Sequence, residues 1–273
     1  MKSKSEKYLL MAISLYLLII VFPFIWVFLT SMKPESEIWG RKALRIFSDN
    51  MSFRHYQTLF RGNILNALKN SLIISTITTV YVTTIASLSA YAIARLKFLG
   101  RRAMLIIILA TSMFPQMIVI GPIYRTFVRL GWTNSYFITL PYSMIALPIS
   151  IFILVSHFSK IPREMEESAI MDGASKARTF FSIILPLAMP GIFTAAIMTF
   201  IGVWNEFLLS LTLNGNEAWH TAPVAISFLR GQFEIFWGQV TAATVIVTIP
   251  TLFIVLLFQK QIISGITAGA VKE

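Results

Sequence analysis

The chain has 273 residues, 56% of them hydrophobic and 13% charged, with a formal net charge of +11 and no cysteine. A soluble domain of this size carries about 25% charged residues, so the composition excludes an ordinary soluble domain and places the chain in a bilayer. Missing cysteines exclude a disulfide framework and thiolate chemistry. Lys and Arg beside apolar runs signal topology and anionic membrane lipid, not nucleic acid.

Lys2, Lys4 and Lys7 precede an uncharged run over residues 8–30. That run is longer than the apolar core of a cleaved signal peptide and lacks small residues at its end, so it reads as a retained membrane helix. Further runs follow at residues 71–93, 103–124, 136–156, 187–211 and 239–259. Each reaches the roughly 20 residues a spanning helix needs. The expected fold is therefore all-α, with six transmembrane helices in one transmembrane domain over residues 1–273. Six spans put both termini on one side. With the termini inside, Lys2, Lys4, Lys7, Arg95, Lys97, Arg101, Arg102, Lys160, Arg163, Lys176, Arg178, Lys260 and Lys272 lie in inner segments, against Arg125, Arg129 and Arg230 in the two later outer loops, as the positive-inside rule favours. Lys33, Arg41, Lys42, Arg45, Arg54, Arg61 and Lys69 run against it, diluted over a long first outer loop.

In that loop Phe53, Tyr56, Leu59 and Phe60 recur at helical spacing, and Trp39 is a further interfacial anchor. They predict a short helix, either lying on the membrane surface or packed within the loop. The second span is rich in small hydroxyls, from Ser75 and Thr76 to Ser87 and Ser89, which serve close helix packing or line a polar conduit. In the third span Pro115-Gln116 and Gly121-Pro122 predict a bend or a broken helix. The Gln116 carboxamide beside that bend either faces a solvated path or bridges two helices. Pro141, Pro148 and Pro250 are candidate kinks elsewhere.

Residues 161–192 hold the longest polar interruption of the second half, and the loop between the flanking spans is taken as residues 157–186. Pro162 suits a first helical turn, and Glu164, Glu166 and Glu167 sit where the helix dipole favours negative charge. Met165, Ala169 and Ile170 make a small apolar face. Asp172 precedes Gly173, a natural stop; Ser175 caps a second helix, and Pro186 is expected to end it. Glu167, Ala169, Gly173, Ile183, Leu185 and Pro186 also match the EAA loop of ABC-importer membrane subunits, E-A-A-x3-G-x9-I-x-L-P, with Ser168 in place of the second Ala.

Glu206 is the one formal charge within the six runs. A mid-bilayer carboxylate costs roughly 2.5–3.5 kcal/mol, so it must face protein or water. Trp204-Asn205-Glu206-Phe207 is thus either an intramembrane functional cluster on a translocation path or a structural hydrogen-bond node. The outer segment 214–238, with Trp219, Phe228 and Trp237, suits a membrane surface or a docking surface for a soluble partner. No Gly is followed by Lys, so there is no phosphate-binding P-loop, and His55, His157 and His220 form no zinc pattern. The chain is expected to be no enzyme and to bind no cofactor or metal itself.

The EAA match, the WNEF cluster, the turn AYAIARLKFLGRR and the ending FQKQIISGITAGAVKE together resemble the shorter permease of maltose-type sugar importers. That resemblance implies the type I ABC importer permease fold in a cell inner membrane. It implies a heterodimer with a second permease, two ATPase subunits holding ATP and Mg, and an external sugar-binding protein. Helix 162–172 would be the coupling element in the ATPase cleft, with the EAA positions as its site. The tail, including Gly265, Thr267, Gly269 and Lys272, would signal to the ATPases. A glycerol phosphoester or polyol is the alternative cargo; an ATP-independent channel and a membrane enzyme are more remote readings.

Overall fold

The computed structural model describes residues 4–230 and 235–270. In chain order the first helices are α1 (Lys4–Thr30), α2 (Glu35–Ile38), α3 (Arg54–Arg61), α4 (Ile64–Arg95), α5 (Arg101–Thr111), α6 (Gln116–Leu130) and α7 (Thr139–Lys160). They are followed by α8 (Glu164–Met171), α9 (Lys176–Thr179), a π-helical turn (Phe180–Ile184), α10 (Leu185–Leu187) and α11 (Met189–Trp204). The last are α12 (Leu208–Leu213), α13 (Ala222–Ser227) and α14 (Trp237–Ala270).

Glu6–Thr30, Ile64–Arg95, Tyr136–Lys160 and Trp237–Gln261 are each long and apolar enough to cross a membrane. Two bent pairs meet the same criterion, which gives up to six spans: α5 with α6, bent by 86°, and Lys176–Leu187 with α11, bent by 73°. The first bend lies just before Pro115, whose ring lacks the N–H needed to continue the ladder and pushes the preceding residue out of the helical region. Pro122, Pro148 and Pro250 instead lie inside helices, and the non-helical residue of α14 is Phe258, at φ −112° and ψ 18°. None of the apolar window of α1 is buried within the chain, so lipid or another subunit must cover it.

The chain condenses into two compact units, one built from residues 1–65 and 225–249, the other from 66–224 and 250–273. In the first, the Lys33 ammonium is buried, donates to the carbonyls of Ala43 (3.3 Å) and Arg45 (2.5 Å), and lies 4.7 Å from the Trp26 ring centroid. The Glu35 carboxylate accepts from the N–H groups of Trp237 (2.8 Å) and Gly238 (3.0 Å), capping the start of α14 where negative charge suits the dipole. Helix α3 forms as the spacing predicts. Its Leu59 is buried and its Tyr56 hydroxyl meets Ser31 Oγ at 2.6 Å, while Phe53 and Phe60 stay exposed. One side of the helix is thus packed against the chain and the other is uncovered.

In the second unit, the buried line of α4 is Ser71, Ser75, Thr78, Val82, Ala86 and Ala90, a stripe of small residues at helical spacing. Hydroxyls of Thr83 and Ser87 bond back to carbonyls four residues earlier, at 2.6 and 2.7 Å. Around the Arg95 end of α4, Ile93, Ile151, Leu154, Phe158, Phe180 and Ile184 form one apolar cluster; Ile74, Phe127, Ile138, Tyr142, Val203 and Leu213 form another. Helices α7 and α11 approach so closely that a Cβ on Gly191 would lie 2.4 Å from the His157 ring.

Adding that methyl, Gly191→Ala, is expected to destabilise the protein by about 1–3 kcal/mol through overpacking. The check is a lower thermal midpoint of the purified protein in detergent, largely recovered in the double variant with His157→Ala. An unchanged melt would contradict the contact.

Candidate functional site

Helix α8 has two unlike faces. Glu164, Glu166 and Glu167 occupy its first turn. Ala169 is buried and Glu166 turns inward, with its side chain 18% exposed. Pro162, Glu164, Met165, Glu167, Ser168, Ile170 and Asp172 are exposed, as is Met171 at 86%. The outward face therefore mixes uncovered carboxylates with uncovered apolar side chains, a composition suited to docking rather than to solvent alone.

Both ends of α8 are firmly terminated. Gly173 takes φ +83°, its N–H donates to Ile170 O at 3.0 Å, and the Ala174 N–H donates to Ala169 O at 2.9 Å. This is a Schellman stop, which needs a residue tolerant of the left-handed region. Ser175 Oγ then accepts from the Arg178 N–H at 3.3 Å, capping α9 as expected. Pro186 departs from expectation: it lies within α10 and does not end the helix. The π turn before it lets the Leu185 N–H reach back to Phe180 O, and the bend falls at Ala188, ahead of Pro190. Ile183 and Leu185 are half-buried against the cluster at the Arg95 end of α4.

The loop is fastened by residues that sequence reasoning missed. Arg95, the last residue of α4, has a side chain only 3% exposed. Its guanidinium donates to the Ile161 carbonyl, and its Nε lies 3.2 Å from Glu166 Oε1. That N–H is not aligned on the carboxylate, so the contact is an ion pair rather than a well-formed hydrogen bond. One turn earlier, Tyr91 packs on Phe158 and on Phe180, with ring centroids 6.1 and 4.7 Å away. In sequence, Arg95 is one more inner basic residue; nothing local marks it as buried.

The WNEF residues do different jobs. Trp204 is 2% exposed and stacks on Phe200. The Asn205 carboxamide donates to Ile201 O at 2.8 Å where α11 ends. Glu206 Oε1 and Oε2 accept from the N–H groups of Leu209 (2.8 Å) and Ser210 (3.2 Å), so its carboxylate starts α12. It also borders an apolar cavity of about 270 Å³ with Tyr142, Ser150 and Thr199. Gln116 borders a separate cavity of about 310 Å³ with Thr111, Pro141 and Met144, and Ile145 and Ile149 stand in both walls.

At the opposite end of α4, Asn70 Nδ2 donates to the carbonyls of Ala218 (2.9 Å) and His220 (3.1 Å), and Asn66 Nδ2 donates to Ala218 O (2.7 Å). Ser71 Oγ accepts from the Ala222 N–H, and Trp219 packs edge-on against Tyr136. The segment from Asn214 to Ala222 is thereby fastened to the helix. Helix α14 carries Gly265, Thr267 and Gly269 on its final turns; Lys272 lies outside the described residues.

Residues 82–268 match the model of the binding-protein-dependent transport system inner membrane component family. The chain belongs to that family. It is 39% identical to the trehalose/maltose transport system permease protein of Thermococcus litoralis, over 100% of this chain and 99% of the relative. It is also 39% identical to the trehalose transport system permease protein of Mycobacterium tuberculosis, with 92% of each covered. A crystal structure of a bacterial ABC transporter that imports the acidic polysaccharide alginate superposes with a TM-score of 0.80, covering 95% of this chain and 98% of that one at 20% identity. The bacterial alginate transporter in complex with its pentasaccharide-bound periplasmic protein gives a TM-score of 0.67 over 93% of each chain, also at 20% identity. The fold is that of ABC-importer permeases.

Replacing Glu206 by leucine leaves two N–H groups of α12 without an acceptor and is expected to cost about 1–3 kcal/mol. Glu206→Gln retains one acceptor and should fall in between. Denaturant titration of the permease in detergent reads both; equal stability of the Glu206→Leu variant and the parental protein would remove the capping role.

Proposed function

We propose that this chain is one of two permease subunits of an importer for di- or oligosaccharides, driven by ATP hydrolysis in two partner ATPase subunits. The observation that carries the reading is the outward face of α8, apolar and acidic, held by a strict glycine stop within an EAA-type sequence. In this reading α8 lies in a cleft of an ATPase subunit, Met165, Ile170 and Met171 bury their side chains there, and Glu167 meets polar groups of the partner. ATP and Mg reside on that partner, and the permease supplies no nucleotide site. Both termini and α8 face the cytoplasm; the fastened segment 214–222 faces outward, toward a sugar-binding protein. The named substrates of the relatives, trehalose and maltose, and the saccharide-loaded binding protein of the alginate system support the cargo class.

Closure of the ATPases on ATP would displace α8, and the spans would follow between inward- and outward-open arrangements. Gln116, Trp204, Asn205 and Glu206 remain the candidates for the translocation path, and the last turns of α14 for a signalling tail. A Cβ on Gly173 meets nothing within 4 Å, so the sole strain on a substitution there is its positive φ.

Gly173→Val should therefore misdirect the chain after α8 while leaving the spans intact, and ATPase co-purification and transport should both fall. Gly173→Asn, which tolerates the left-handed region, should stay near parental. Parental values for the Val variant would sink the coupling role. Separately, mass spectrometry of the solute held by the cognate binding protein is expected to find a sugar; a glycerol phosphoester or polyol would redirect the cargo assignment.

A further inference from the structure

Arg95 stands out because its charge has been taken where water barely reaches. A guanidinium stays protonated in proteins and brings five N–H donors. With its side chain 3% exposed, it must be answered by acceptors supplied by the chain. Those acceptors are the Ile161 carbonyl, in the turn that leads into α8, and Glu166, the acidic residue of α8 that faces inward. Tyr91, four residues earlier and so on the same face of α4, packs on Phe158 before α8 and on Phe180 after it. One face of α4 thus holds the coupling segment before, within and behind the helix.

The covalent links are less direct. Residues 161–163 join α7 to α8 without helical structure, and residues 172–175 pass through the left-handed Gly173 turn before α9 begins. Both joints can absorb a displacement of α8 by rotation about a few bonds. Side-chain bridges to α4 bypass them.

We propose that Arg95 is a positioning residue that makes α8 and α4 move as one body, so that displacement of α8 is delivered to a transmembrane helix. The inference rests on the coupling role of α8 and names the route of the force. Glu166 is the acidic partner in the route, and Glu167, on the outer face, is left for the ATPase. The residue acts through α8; it touches neither nucleotide nor cargo.

The chain contains no cysteine, so introduced cysteines label it uniquely once those of its partners are replaced. Nitroxides at Arg163→Cys, where the residue's carbonyl accepts the first N–H groups of α8, and at Leu88→Cys, both exposed side chains outside the docking face, report the spacing of α8 from α4 in the assembled transporter. In the parental complex the distance distribution is expected to be the same without nucleotide and after trapping with ATP and vanadate. With Arg95→Met the trapped distribution should shift or broaden by several ångström while ATPase subunits still co-purify. Exchange of the pair, Arg95→Glu with Glu166→Arg, should restore a fixed distance more fully than either single change. If Arg95→Met does not assemble, Arg95→Lys and Glu166→Gln carry the same measurement.

A distance that stays fixed in these variants overturns the inference, as does a parental distance that changes on trapping. Failure of the coupling reading looks different: Gly173→Val would leave ATPase co-purification and transport at parental values. A fixed distance in Arg95→Met beside an impaired Gly173→Val overturns the Arg95 role alone.

Discussion

Charge removed from water must be answered by the chain itself, and this requirement shapes several of the contacts that fasten the structure. Lys33 is answered by the carbonyls of Ala43 and Arg45, and Arg95 by that of Ile161. Glu35 and Glu206 are answered by N–H groups at the starts of α14 and α12. In each case the partner is a backbone group at a turn or helix end, where the helical ladder leaves donors or acceptors unused. Buried and half-buried charges thereby tie remote segments to the long helices.

Helix α4 adds further ties in the second unit, most of them uncharged. Its 32 residues span about 48 Å at 1.5 Å per residue. Asn66, Asn70 and Ser71 hold the segment up to Ala222 at one end; Tyr91 and Arg95 hold the segment around α8 at the other. Between them runs a stripe of small residues that lets neighbouring helices pack closely. Loops at both ends of the span are thus anchored on one rod.

The division of labour within α8 follows from helical geometry. Glu166 and Ala169 are three apart and share the inward face, whereas Glu164, Glu167 and Met171 lie on the outward side. Adjacent carboxylates thereby take opposite roles, one internal and one available to a partner. The Schellman stop at Gly173 fixes where this face ends, and its conformational demand is met by a glycine that is otherwise in open space.

Much of this is legible in the order of residues. Long uncharged runs are a local property, so the membrane spans and the all-α class follow from them. Caps and stops are also local, which is why Gly173 and Ser175 do what their residue types suggest and why Pro115 marks a real bend. Pro186 does not end its helix because a π turn absorbs a missing N–H, and no local pattern announces that turn. The roles of Arg95, Tyr91 and Asn70 depend on partners 66 to 150 positions away, as in the Arg95–Ile161 and Asn70–His220 contacts, and no period or motif encodes such pairings. Glu206 shows the boundary between the two kinds of information. Its sequence says that a charge in an apolar run must be satisfied; only the broken helix after Trp204, which turns two backbone N–H groups toward the carboxylate, decided how.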